Sequence, residues 1–250
     1  MAGHSKWANI KHKKARADAQ KGKMFTKLSR ELMVAAREGG GDIDANIRLR
    51  LAVQKAKEIN MPNDNIERAI KRGLGEVEGF KYEEVVYEGY APGGVAVLLE
   101  ILTDNRNRTA GELRNVFSRY GGNLGESGCV AWMFKRQGYI NVEKAKANME
   151  EDELMLLALE EGAEDFKSEE DTYEIITEPE NLEKVREGLV NKGVEINFAQ
   201  VAMVPQNLVK ITDEEEAKNI LSLMESLEDH DDVQNVYANF DLPDEVMSTV

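Results

Sequence analysis

The chain has 250 residues, is 42% hydrophobic and 32% charged, and carries 47 acidic against 32 basic side chains. That length leaves room for two or three packed domains, while no run of 18 apolar residues provides a membrane span, and the single cysteine excludes an intrachain disulfide framework. The charge is divided along the chain: residues 1–75 hold 17 Lys and Arg against 8 Asp and Glu (net +9), and residues 76–250 hold 15 against 39 (net −24). A basic end on an acidic body predicts that one end touches a polyanion while the rest does something else.

The first 30 residues contain one acid, Asp18, and no apolar core of a secretory signal. They have the basic character of an organelle transit peptide, but Lys dominates and Ser and Arg are scarce, so a cytoplasmic protein is the expectation. Phe25, Leu28, Leu32 and Ala35 recur at helical spacing, with Lys23, Lys27, Arg30 and Arg37 opposite. This helix should stop at Gly39-Gly40-Gly41. A second helix turns Ile47, Leu51, Val53, Ala56 and Ile59 inward, and Met61-Pro62 interrupts it. A third, capped by Asn63 or Asp64, carries Ile66, Ala69 and Ile70 and closes at Gly73. Gly73 to Gly79 reads as a linker.

The period then changes. Glu83 to Tyr90 and Val95 to Thr103 read as strands around the turn Ala91-Pro92-Gly93-Gly94. A helix from Arg106 to Tyr120 buries Leu113, Val116 and Phe117, and glycine-rich residues 121–128 lead into a strand from Cys129 to Phe134. Residues 135–205 follow the order strand, helix, strand, strand, helix, strand, with strands at Gly138–Val142, Ala163–Lys167, Tyr173–Glu178 and Glu195–Val204. The helices between them are Glu151–Glu161 and Pro179–Lys192, and the order is that of a ferredoxin-like unit. Leu208–Ile211, a helix Asp213–Leu227 and a strand Val233–Phe240 follow, with no sheet of their own. This tail is expected to return to the second block and make the third an insertion. The expected fold class is therefore multidomain α and α+β: a basic helical bundle (1–75), a split α+β domain (80–134 plus 206–242) and an inserted ferredoxin-like domain (135–205).

Residues 11–23 place Lys11, Lys13, Lys14, Arg16, Lys21 and Lys23 on one short arm, with Lys6 just before them and Lys27 and Arg30 beyond. Nucleic acid needs cations at phosphate spacing on a segment able to follow the backbone, and this arm supplies them. Trp7 and His12 offer rings that stack on a base or ribose, although Trp7 packing against the bundle is equally open. Arg106 and Arg108 open a helix after Thr103-Asp104-Asn105, with Asn105 or Asp104 as its cap, and free N–H groups at such a helix start attract anions. Pairing of these arginines with the acidic body is the competing reading.

Catalytic constellations are missing from the sequence. No glycine-rich run ends in Gly-Lys-Ser or Gly-Lys-Thr, and residues 125–128 lack a nucleophile elbow's last glycine. His4, His12 and His230 are not spaced as metal ligands, and Cys129, between Gly128 and Val130, reads as a small buried residue. No catalytic residue, cofactor or metal is expected.

Residues 1–32, Met61 to Gly73, Tyr87 to Gly94 and Leu124 to Phe134 together resemble the YebC family, a widespread bacterial group with a mitochondrial translational-activator branch. Cys129 stands where that pattern leads one to expect Ser. The resemblance covers nearly the whole chain and implies the three-domain plan above and a non-enzymatic role in gene expression. Members are described as promoter-binding transcriptional regulators, and others as translation factors on the ribosome where proline-rich peptides stall. It implies nucleic acid as partner, either rRNA and tRNA on the ribosome or promoter DNA, with the N-terminal basic motif as the contact surface. The acidic body is left for protein contacts.

Overall fold

The computed structural model describes residues 18–77 and 81–242, with side chains from Gly22 onward in the first segment. Three helices open it: α1 (Asp18–Gly39), α2 (Ile47–Glu58) and α3 (Asn63–Gly73). Leu28, Leu32, Ala35 and Ala36 of α1 meet Leu49, Ala52, Val53 and Ala56 of α2, with Ile66 and Ala69 of α3 closing the core. Helix α1 ends at Gly39, and Gly40 takes the left-handed φ of +82° that glycine permits without strain.

Two sequence expectations fail here. Ile47 is 63% exposed and Leu49 takes the inward position. The cause is Asn46, which is buried, accepts from the Leu49 N–H at 3.0 Å and donates to the Ala35 and Gly40 carbonyls at 2.8 Å. Fixing that cap against α1 sets the phase of α2. Helix α3 takes no side-chain cap from Asn63 or Asp64. Pro62 is its N-cap residue, and the Pro62 carbonyl accepts from the Asn65 and Ile66 N–H groups.

The middle of the chain gives β1 (Glu83–Tyr90), β2 (Ala96–Thr103), α4 (Arg106–Arg119) and β3 (Asn123–Leu124). The tail returns with β8 (Val209–Lys210), α7 (Glu214–Glu228), β9 (Val233–Ala238) and β10 (Phe240–Asp241). One antiparallel sheet runs β3-β1-β2-β9, so the tail strand β9 completes it beside β2. Helices α4 and α7 cover one face, packing Leu113, Phe117, Ile220 and Met224 on Val97, Leu99, Ile101 and Val236. Contrary to expectation the tail also has a ladder of its own, with β8 parallel to β10. The expected single strand Val233–Phe240 breaks at Asn239, whose side chain accepts from the Ala96 N–H at 2.7 Å.

The expected strand Cys129–Phe134 is instead a loop ending in a 3-10 turn (Ala131–Met133). The Glu88 carboxylate takes the N–H groups of Gly128, Val130 and Ala131 at 2.6–2.7 Å, donors a strand would have given its neighbour.

The inserted unit comprises β4 (Phe134–Glu143), α5 (Glu151–Glu161), β5 (Asp165–Ser168), β6 (Thr172–Thr177), α6 (Leu182–Asn191) and β7 (Phe198–Pro205). Its sheet order β5-β6-β4-β7, antiparallel throughout, is the ferredoxin-like arrangement. Leu154, Ala158, Val185 and Leu189 of the two helices pack on Ile140, Val142 and Ile175. The opposite face, with Tyr139, Ile176, Phe198 and Ala202, packs against Ala96, Leu98 and Tyr237 of the first sheet.

Candidate nucleic-acid interface

Lys6, Trp7, Lys11, His12, Lys13, Lys14 and Arg16 lie outside the described residues, as does the side chain of Lys21. The remaining expected contacts are described, and each meets a partner within the chain. The face of α1 opposite the bundle core docks on the acidic turn after α7. Lys23 pairs with Asp229 at 3.1 Å, the Lys27 ammonium donates to the Glu228 carbonyl at 2.6 Å, and Arg30 donates to the Asp231 carbonyl and to the Asp232 carboxylate at 2.7 Å. The Arg30 guanidinium also lies 5.0 Å from the centre of the Tyr82 ring, and its side chain is only 12% exposed. Arg37 donates to the Tyr82 carbonyl.

Arg106 pairs with Glu83 at 2.7 Å. Arg108 reaches Asp104 at 2.9 Å and Asp232 at 2.8 Å, while Asn105 caps α4 by accepting from the Arg108 N–H at 3.1 Å. The cap was legible in the sequence. The pairing with Asp232, 124 residues away, was not.

Asp232 is the hub of this junction. Its side chain is buried and also accepts from Thr109 at 2.6 Å and Thr103 at 3.2 Å. Burial alone would raise its pKa. The bonds from Thr109 and Arg108 and the charge of Arg30 outweigh that and hold the carboxyl below its ordinary value. Beside it, His230 lies 2.9 Å from Glu112, and its Nδ1 accepts from the Asp232 N–H, which leaves Nε2 to donate to Glu112. Sequence spacing did not reveal this trio, whose ligand atoms lie within 4.8 Å of one another. Both Asp232 oxygens are already engaged by arginines and hydroxyls, so the donor set is better fitted to joining elements than to a cation.

Other cations are free. Arg68, Lys71 and Arg72 form an i, i+3, i+4 cluster on the exposed side of α3, and Lys57 is exposed at the end of α2. Among the described residues none of these makes an ion pair. The same holds for Arg114 and Arg119 on α4. Sequence reading passed over these residues because each stands in a mixed-charge stretch; their freedom depends on which acids the fold brings near. No described helix is long and apolar enough to cross a membrane.

Three helices, a split α+β domain and a ferredoxin-like insertion define a three-part protein whose basic bundle is docked through an acidic turn. Residues 5–76 match the model of the TACO1/YebC protein N-terminal domain, and residues 82–240 match that of the TACO1/YebC second and third domain. The chain belongs to the TACO1/YebC family. It is 63% identical, over the full length of both chains, to a "Probable transcriptional regulatory protein" of Natranaerobius thermophilus. It is 61% identical to a protein of the same name from Halothermothrix orenii, over all of this chain and 99% of that one. The crystal structure of a conserved hypothetical protein from Aquifex aeolicus superimposes with a TM-score of 0.84 and 53% identity, covering 95% of this chain and 97% of the other.

Proposed function

We propose that this protein is a non-enzymatic, nucleic-acid-binding regulator of gene expression whose N-terminal arm and bundle grip RNA on the ribosome. The observation that carries this reading is the charge division, +9 on residues 1–75 against −24 on the rest. Phosphates attract the first and are repelled by the second, so a large polyanion engages the bundle end and leaves most of the body outside. Lys6, Lys11, Lys13, Lys14, Arg16 and Lys21 are the phosphate contacts, with Trp7 and His12 stacking among them. Arg68, Lys71 and Arg72 extend that surface along α3. Lys23, Lys27 and Arg30 hold the bundle to the body, while Arg106 and Arg108 are paired within the body. The family resemblance adds the occasion, stalling of the ribosome on proline-rich peptides, and the single cysteine fits a reducing, cytoplasmic location. The domain limits follow the same plan: 1–75, 80–134 with 206–242, and 135–205.

A second reading, a promoter-binding transcriptional regulator, is favoured by the names of the Natranaerobius and Halothermothrix relatives. Competition between ribosomes and promoter-length duplex DNA tests the two, using full-length protein and a variant lacking residues 1–23 at two salt concentrations. Ribosome binding that resists duplex competitor and disappears with the arm supports the translation role. Preference for particular duplex sequences would replace it with the transcriptional one.

A further inference from the structure

Trp132 is 71% exposed, which is costly for the largest apolar side chain. It is nevertheless held in place. Its indole Nε1 donates to the Cys129 carbonyl at 3.1 Å, and the Tyr90 hydroxyl donates to the same oxygen at 3.0 Å. The loop beneath is fastened by Glu88, itself only 4% exposed, through the N–H groups of Gly128, Val130 and Ala131. A ring fixed this way loses little freedom when something lands on it. Its one polar group is already used inside the loop, so what it offers a ligand is a π face and no hydrogen bond.

From these observations we propose that Trp132 is a stacking platform for an unpaired base of the bound nucleic acid. The proposal rests on the nucleic-acid reading above and adds to it a second contact point, on the body, that requires single-stranded character. No other large apolar side chain is exposed between Gly121 and Gln137, and the exposed residues there include Glu126, Ser127, Lys135 and Arg136. A protein hot spot is normally seated in a contiguous apolar patch. A lone ring with a cation four residues on, Arg136, suits a base with its phosphate, because every base has a face and stacking tolerates sequence.

The chain has two tryptophans, so a Trp7→Phe background, its own affinity measured first, leaves Trp132 as sole reporter. A mixed-sequence single-stranded oligoribonucleotide should quench Trp132 emission, and duplex DNA of equal length should not. In the same background Trp132→Leu should weaken single-strand binding about tenfold or more, while Trp132→Phe, which keeps a ring but loses the Nε1 bond, should retain most of it. Should the Leu variant lose its cooperative melting transition, quenching and the Phe variant decide. Binding that leaves Trp132 emission unchanged and survives Trp132→Leu would overturn the platform while leaving the nucleic-acid reading intact. So would a blue shift that depends on protein concentration alone, since a second copy would then cover the ring. Failure of every nucleic acid to bind would remove both.

Discussion

Glu88 stands in the strand Glu83–Tyr90, where an acid reads as a solvent-facing residue, yet its carboxylate is buried under the loop it fastens. Burial would raise its pKa; three backbone N–H groups outweigh that and hold it below the ordinary value. Glu88→Gln keeps one acceptor and turns an amide N–H₂ toward backbone donors, and should cost about 2–4 kcal/mol in urea unfolding at neutral pH. The sign of the pH effect follows from the depressed folded pKa: the stabilisation is complete above the unfolded value, roughly 4.3, and is lost as pH falls through the folded one. Asp232 acts in the same direction. Wild type should therefore lose more stability than Glu88→Gln on acidification below about pH 4. Equal losses in a pH series of unfolding curves would show that Glu88 is not ionised in the loop. None of this is readable from the sequence, because a carboxylate's partners here are N–H groups, which every residue but proline carries.

At the scale of elements, α1 is fixed twice, by its apolar stripe to the bundle and by its cations to the acidic turn. Arg30 is nearly buried and binds a buried carboxylate, so Arg30→Ala should cost about 1–3 kcal/mol, Asp232 retaining its other donors. Lys23→Ala removes an exposed pair and should cost less than about 1 kcal/mol. Differential scanning calorimetry distinguishes the two, and equal effects would contradict the docking geometry. Glycines divide in the same manner. A methyl at Gly73 would lie 2.3 Å from the Met33 carbonyl oxygen, so Gly73→Ala must push α3 off α1, costing about 1–3 kcal/mol. One at Gly22 meets nothing within 4 Å, and Gly22→Ala should stabilise α1 by up to about 1 kcal/mol. The α1 stripe, the Asn105 cap and the ferredoxin-like order were legible because each is a local pattern of spacing. The phase of α2, the Asp232 junction and the loop at Gly128 to Met133 were not, since each depends on a side chain contributed from elsewhere: Asn46 against α1, arginines from two domains, and Glu88.

For the whole molecule, the charge division was the most legible feature and leads to a salt prediction. Neutralising about six phosphates gives a log–log slope of binding against salt near −4 on single strands and −5 on duplex. Fluorescence anisotropy across a salt series measures it, and a slope near zero would remove the electrostatic basis of the proposed function. Lys13→Glu with Lys14→Glu should abolish binding with the folding transition retained; its loss in far-UV circular dichroism would make those lysines structural.

The ends of the insertion are neighbours: Phe134 stands opposite Pro205 in the β4–β7 ladder, and the Gln206 N–H donates to the Met133 carbonyl at 2.8 Å. The host sheet needs Val97 beside Ala238, partners from nearly opposite ends of the described body. Closing so long a span from an open chain is slow, because its entropy must be lost before the contacts are gained. An insert that folds first gathers its two ends and removes some seventy residues from the search. The ferredoxin-like unit is then a folding clamp for the sheet around it, and pulsed hydrogen exchange should find β4, β6 and β7 protected before β9.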